Sequence, residues 1–204
     1  PAVAVINAYI GKINFYFTKE TTEPISLSYE KAFATDDGRS LFKPLQEMPA
    51  GLQNHLRYPD YLTRVQAEIY KDYHVLDSHP NNYSTIFFQA SDKWDIQKEK
   101  YGEDNSYKSM MPYYATVSLP SSHSNSGLVE FVNIIPFKPP ERVRYMNAVM
   151  VARCDDEFYG QLVLYNLPKD QTILGPTLAE ATIDTELSQD LTLWNQQGTV
   201  VIRG

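Results

Sequence analysis

A chain of 204 residues reads as a single soluble domain, or as one domain with a small lobe, and is long enough to bury a sizeable core. Charged residues at 21% and hydrophobic ones at 43% exclude a disordered chain, and a net charge of −7 argues against nucleic acid and gives no help to an anionic membrane surface as partner. The lone cysteine, Cys154, excludes an internal disulfide framework, and no apolar run reaches the roughly 18 residues a membrane-spanning helix requires.

In chain order, residues 2–9 and 12–17 read as two strands of a hairpin turning around Ile10, Gly11 and Lys12. Ile13, Phe15 and Phe17 alternate with Asn14 and Tyr16, which predicts one buried face. Pro24 to Phe33 reads as a short helix with Ile25, Tyr29 and Phe33 at four-residue steps, closed by a turn at Asp36-Asp37-Gly38. Pro49 to Leu56 reads as another short helix. It breaks at Tyr58-Pro59, because the residue before a proline resists helical geometry.

The clearest helix follows. Pro59 suits a first turn, where its missing N–H would be unpaired anyway, and Asp60 favours the positive end of the dipole. Leu62, Val65, Ile69, Tyr73 and Leu76 recur at steps of three and four, so they are expected to form the docking stripe. Arg64 and Glu68, four apart, are expected to pair, for about 0.2–0.5 kcal/mol; the apolar stripe outweighs that.

Between Asp77 and Met111 the periodicity fails. Pro80-Asn81-Asn82 is a turn, Tyr83 to Gln89 is read as helix in preference to strand, and the polar residues 97–109 as an exposed loop. Tyr113 to Leu119 and Leu128 to Ile135 read as strands pairing across the Ser/Asn-rich residues 121–127. Tyr145 to Arg153 and Gly160 to Leu167 make a second strand pair, and Leu178 to Ile183 reads as extended. A last helix, capped by Asp184 or Thr185, carries Leu187, Leu191 and Trp194 and stops at Gly198, before a strand over Thr199 to Arg203. With helices concentrated in the first half and strands in the second, the fold class is α+β, a mainly antiparallel sheet with helices on one face.

No catalytic signature emerges. His55, His74, His79 and His123 lack compact metal-ligand spacing, so no metal or cofactor is expected; Asp77 between His74 and His79 reads as part of a polar turn. Asp155-Asp156-Glu157 lacks the alternation of a calcium loop. Ser121-Ser122-His123-Ser124 places nucleophile and base together only in sequence, and Gly-x-Ser-x-Gly is absent. Cys154 sits beside carboxylates that disfavour its thiolate. The 15 tyrosines suit an interface better than a ligand groove.

Several blocks carry a resemblance. They are Asn7-Ala8-Tyr9, Phe15-Tyr16, Leu41-Phe42-Lys43-Pro44, Glu47-Met48-Pro49 and His55-Leu56-Arg57-Tyr58-Pro59. Val65-Gln66-Ala67-Glu68 follows with Tyr70, Tyr73 and His74, then Ile134-Ile135-Pro136-Phe137, Ala152-Arg153-Cys154-Asp155 and Tyr159-Gly160. Leu193-Trp194-Asn195-Gln196-Gln197-Gly198 and Val201-Ile202-Arg203-Gly204 complete the order. In this order the chain resembles the UPF0182 family, large bacterial and cyanobacterial membrane proteins of uncharacterised function. Residues 18–23, 36–40, 97–109 and 121–127 depart from the pattern. The resemblance implies that membrane spans lie outside this sequence and that the chain is part of an extracytoplasmic region. Pro1 before an apolar run, and the apolar Val200-Val201-Ile202 at the other end, read as the ends of an excised piece, with exposed strand edges expected there.

Two functions fit these readings. One is a non-enzymatic interaction or structural module that contacts the rest of its parent membrane protein or an envelope partner. The other is an envelope enzyme or ligand-binding domain, with a polar site drawn together from His55, Arg57, Glu68 and His74.

Overall fold

A computed structural model describes residues 2–18, 24–74, 83–90, 93–101, 106–120, 129–140, 145–155, 158–168 and 170–198. The chain divides into two compact units, Pro1–Leu56 and Arg57–Gly204. Both are α+β, and their sheets are mostly antiparallel.

In the first unit, β1 (Ala2–Ile6) and β2 (Ile13–Phe17) form the expected antiparallel hairpin, in register Ala2 to Phe17 through Ile6 to Ile13. Gly11 supplies the left-handed residue of its turn, at φ +67°, where a side chain would be strained. A short strand, β3 (Phe42–Lys43), adds to β2 in parallel, and Phe42 stacks on Phe17 with centroids 4.8 Å apart. The face of β2 that buries most deeply is the one carrying Tyr16, which is 5% exposed, whereas Ile13 is 48% exposed and Phe15 and Phe17 are half-buried. Two short helices, α1 (Pro24–Ala32) and α2 (Ala50–Gln53), complete the unit, with a 3-10 turn at Leu45–Glu47. Tyr29 and Phe33 stack on one another yet stay exposed, as does Ile25, so α1 buries no residue.

The second unit is built on α3 (Asp60–Tyr73), with Pro59 at its N-cap. After α4 (Tyr83–Gln89) comes a short strand, β4 (Asp95–Ile96), and the described residues of the polar stretch read as a loop form strands instead: β5 (Lys98–Tyr101) and β6 (Ser106–Ser109), paired as a hairpin. Polarity misled there because Gln97 is fully buried with its amide donating to Tyr145 O at 2.8 Å, so a polar residue satisfies backbone within the core.

Next come β7 (Tyr113–Ser118), β8 (Val129–Lys138), β9 (Ala148–Arg153) and β10 (Leu162–Asn166). Both expected hairpins form, Tyr113 opposite Ile134 in one and Leu162 opposite Ala152 in the other. On one side β8 pairs with β9 throughout Val132 to Phe137. On the other it pairs first with β7 as far as Ile134, then with β4 from Phe137. Pro136, which has no N–H to donate, falls in the gap between those two partners, the kind of position where a central strand tolerates proline.

The core lies between this sheet and α3. Ala67 packs with Trp94, Ile96, Ile135, Phe137 and Met150, and Tyr70 packs against them. A smaller cluster of Leu119, Val132 and Val151 covers the other face. Residues 178–183 are not extended: they lie in α5 (Pro176–Glu186), which starts where proline is tolerated, after Gly175. Asp184 and Thr185 therefore sit inside α5, Asp184 in an ion pair with Lys100, and do not cap α6 (Ser188–Gln196). Gly198 does take the left-handed conformation expected after that helix, φ +74°. Leu76, His79, His123 and the strand expected over Thr199 to Arg203 lie outside the described residues.

Candidate functional site

The docking face of α3 is not the predicted one. Thr63, Ala67, Tyr70 and His74, at steps of four, three and four, turn toward the core: Thr63 and Ala67 are fully buried and His74 is 4% exposed. The small side chains of Thr63 and Ala67 let the helix axis approach the sheet closely. That spacing was the signal in the sequence for the buried face; weighting only large apolar residues hides it.

The predicted stripe consequently points outward. Ile69 is 49% exposed and Tyr73 is 71% exposed, with Tyr61 also exposed and Val65 half-buried. With Arg64 and Met111 they line an open groove of about 720 Å³. Arg64 does not pair with Glu68 but donates to Met111 Sδ at 3.0 Å. Glu68 instead pairs with Lys71 at 2.5 Å, one turn along the helix. The outer face of α3 is therefore an apolar stripe bordered by charge, with Phe87 of α4 packed against Tyr73 at 5.4 Å between ring centroids.

The four candidate polar residues have these places. His55 lies in the first unit, exposed, with its Nδ1 at 2.7 Å from Gly51 O. In the second unit, the Arg57 guanidinium lies 5.6 Å from the Tyr114 ring centroid, and Arg57 O accepts from the Tyr159 hydroxyl at 3.1 Å. Glu68 is on the outer face. His74 stands at the other end of the helix from Arg57, its ring 3.7 Å from Trp94 and its Nδ1 at 3.0 Å from Lys71 O. The second unit does not bring Arg57, Glu68 and His74 together, since a 14-residue helix separates the first from the last by about 20 Å. Among the described residues no three His, Cys, Asp or Glu side chains gather as metal ligands.

Cys154 is buried, and Tyr58 N–H points at its Sγ from 3.4 Å. Burial pushes the thiol up, and the Asp155 carboxylate adds to the effect. The thiol is expected to resist a maleimide at neutral pH in the native protein and to react within minutes once urea unfolds it; fast native labelling, followed by mass, would contradict the burial.

Beside Cys154, Arg153 is buried against Glu130. Its Nε and Nη2 donate to the two carboxylate oxygens, each at 2.6 Å, and its Nη1 donates to Gln161 Oε1 at 2.7 Å. The guanidinium also lies 3.5 Å from the Phe158 ring centroid. With every arm occupied inside the fold, this group holds β8, β9 and the turn into β10 together.

The uncharacterised family UPF0182 matches residues 2–194. A UPF0182 protein of Pelotomaculum thermopropionicum is 40% identical over 202 residues, covering 98% of this chain and 20% of the relative. One of Microcystis aeruginosa is 37% identical over 202 residues, covering 98% of this chain and 19% of the relative. The chain thus spans about a fifth of the length of the curated relatives it matches. No solved structure matches it, and no helix among the described residues is long and apolar enough to cross a membrane. With the family model and the relatives agreeing across almost all of its length, the chain belongs to the UPF0182 family.

Proposed function

We propose that this chain is an extracytoplasmic interaction module of a longer integral membrane protein, and that the outer face of α3 docks against another part of that protein. The membrane setting is what the family resemblance implies. The docking role is supported by one observation: Tyr61, Val65, Ile69 and Tyr73 form an apolar stripe on the face of α3 opposite its buried one. An exposed apolar stripe rimmed by charged residues is the kind of surface that marks an interaction site. Aromatic residues with a polar handle, such as Tyr61 and Tyr73, are the kind enriched in protein interfaces.

The test uses the full-length protein in its own membrane. A photo-crosslinking residue at Ile69 is expected to join the chain to another region of the same polypeptide. A cysteine at Gln189, exposed on α6, is expected to react with a membrane-impermeant maleimide in intact cells. Protection of that cysteine until the cells are lysed would overturn the extracytoplasmic placement. A crosslinker at Ile69 that captures only solvent or lipid would overturn the docking role.

A further inference from the structure

The first unit carries an open sheet edge. Among the described residues β1 pairs with β2 alone. Asn7 N donates to Lys12 O at 2.9 Å, which sets the phase of the hairpin. Hydrogen-bonded and free positions alternate along an antiparallel strand. Val3 and Val5 therefore turn their N–H and C=O groups to β2, while Ala2, Ala4 and Ile6 turn theirs away from it.

Strands that end a sheet in water are usually guarded by a lysine, a proline or a bulge. The sequence Ala2-Val3-Ala4-Val5-Ile6 has no charge and no proline, and it pairs in unbroken register. It is apolar on both faces, the pattern of a strand inside a sheet. The sheet face it shares is also incomplete. Ala2, Ala4 and Ile6 lie opposite Phe17, Phe15 and Ile13, and on that face Ile6 remains 62% and Ile13 48% exposed.

We propose that β1 is an interior strand in the longer polypeptide, and that a strand from elsewhere in that polypeptide pairs with it through the backbone of Ala2, Ala4 and Ile6. The proposal rests on the chain being a module of a longer protein. Its chemistry selects the occupant: a row of free N–H and C=O groups is matched by another extended backbone, not by a helix. The relatives extend about five times the length of this chain, and a strand on the same polypeptide pairs intramolecularly, at an effective concentration set by the intervening chain and independent of protein concentration. A second copy has no such advantage and brings a like net charge of −7.

Hydrogen exchange, read on peptides covering β1, tests this in the 204-residue chain and in the longer polypeptide. The amides of Ala4 and Ile6 are expected to exchange freely in the shorter chain and about a hundredfold or more slowly in the longer one. Ala4→Pro removes an outward N–H only, so it should leave Val3 and Val5 protected in both. In the longer polypeptide it should return Ile6 to fast exchange. Fast exchange at Ala4 and Ile6 in the longer polypeptide would overturn the proposal. Protection that already exists in the 204-residue chain and rises with its concentration would assign the edge to a second copy and overturn it equally. Neither result depends on the crosslink at Ile69, which reports a different unit.

Discussion

Arg153→Met is expected to cost about 3–5 kcal/mol of folding stability, because it leaves the Glu130 carboxylate buried without its cation. The side chains are 1% and 9% exposed, so water cannot take over the lost contacts. Gln161 Oε1 would lose its donor at the same time. The pair is not thereby a large net source of stability. Desolvating both ions offsets much of their attraction, so the double replacement Arg153→Met with Glu130→Leu is expected to recover most of the loss. Urea titration with an unchanged slope measures both. If the single replacement shifts the midpoint no more than a surface substitution does, the buried pair does not organise β8 and β9 as described.

Phe137→Ala is expected to cost a similar amount, about 3–5 kcal/mol, through lost apolar burial and the cavity left behind. Phe137 is fully buried, with the rings of Trp94 at 5.6 Å and Tyr70 at 6.3 Å, so its neighbours have little room to collapse. Tyr73→Ala in the same chain is expected to change stability by no more than about 0.5 kcal/mol, since the side chain is 71% exposed. The comparison separates the two apolar faces of α3 directly. Equal losses from both replacements would mean that the stripe of Ile69 and Tyr73 belongs to the core of this unit after all.

Local chemistry made much of the fold legible in the sequence. Gly11 and Gly198 mark the left-handed positions that end a strand turn and a helix. Pro59 and Asp60 mark where α3 begins. Alternation and β-branched composition placed β7 to β10 and their pairing as two hairpins. Where tertiary contacts override local pattern, the reading failed. Gln97 is polar, yet it is buried between β4 and β5 with its amide donating to Tyr145 O, and the polar residues that follow it pair with one another as β5 and β6. Residues 178–183 are β-branched in part, yet they are helical, with Thr177 Oγ1 bonded to Lys98 O at 2.8 Å at the first turn.

The candidate site shows the same division. That α3 is an amphipathic helix with an apolar stripe was determined by residue spacing alone, and family membership by the match of sequence blocks along the chain. Which of its faces enters the core was decided only by the tertiary structure. Periodicity reports the width of an apolar surface but not what lies opposite it. Close packing on a sheet favours the small Thr63 and Ala67, so the larger Ile69 and Tyr73 are left facing outward.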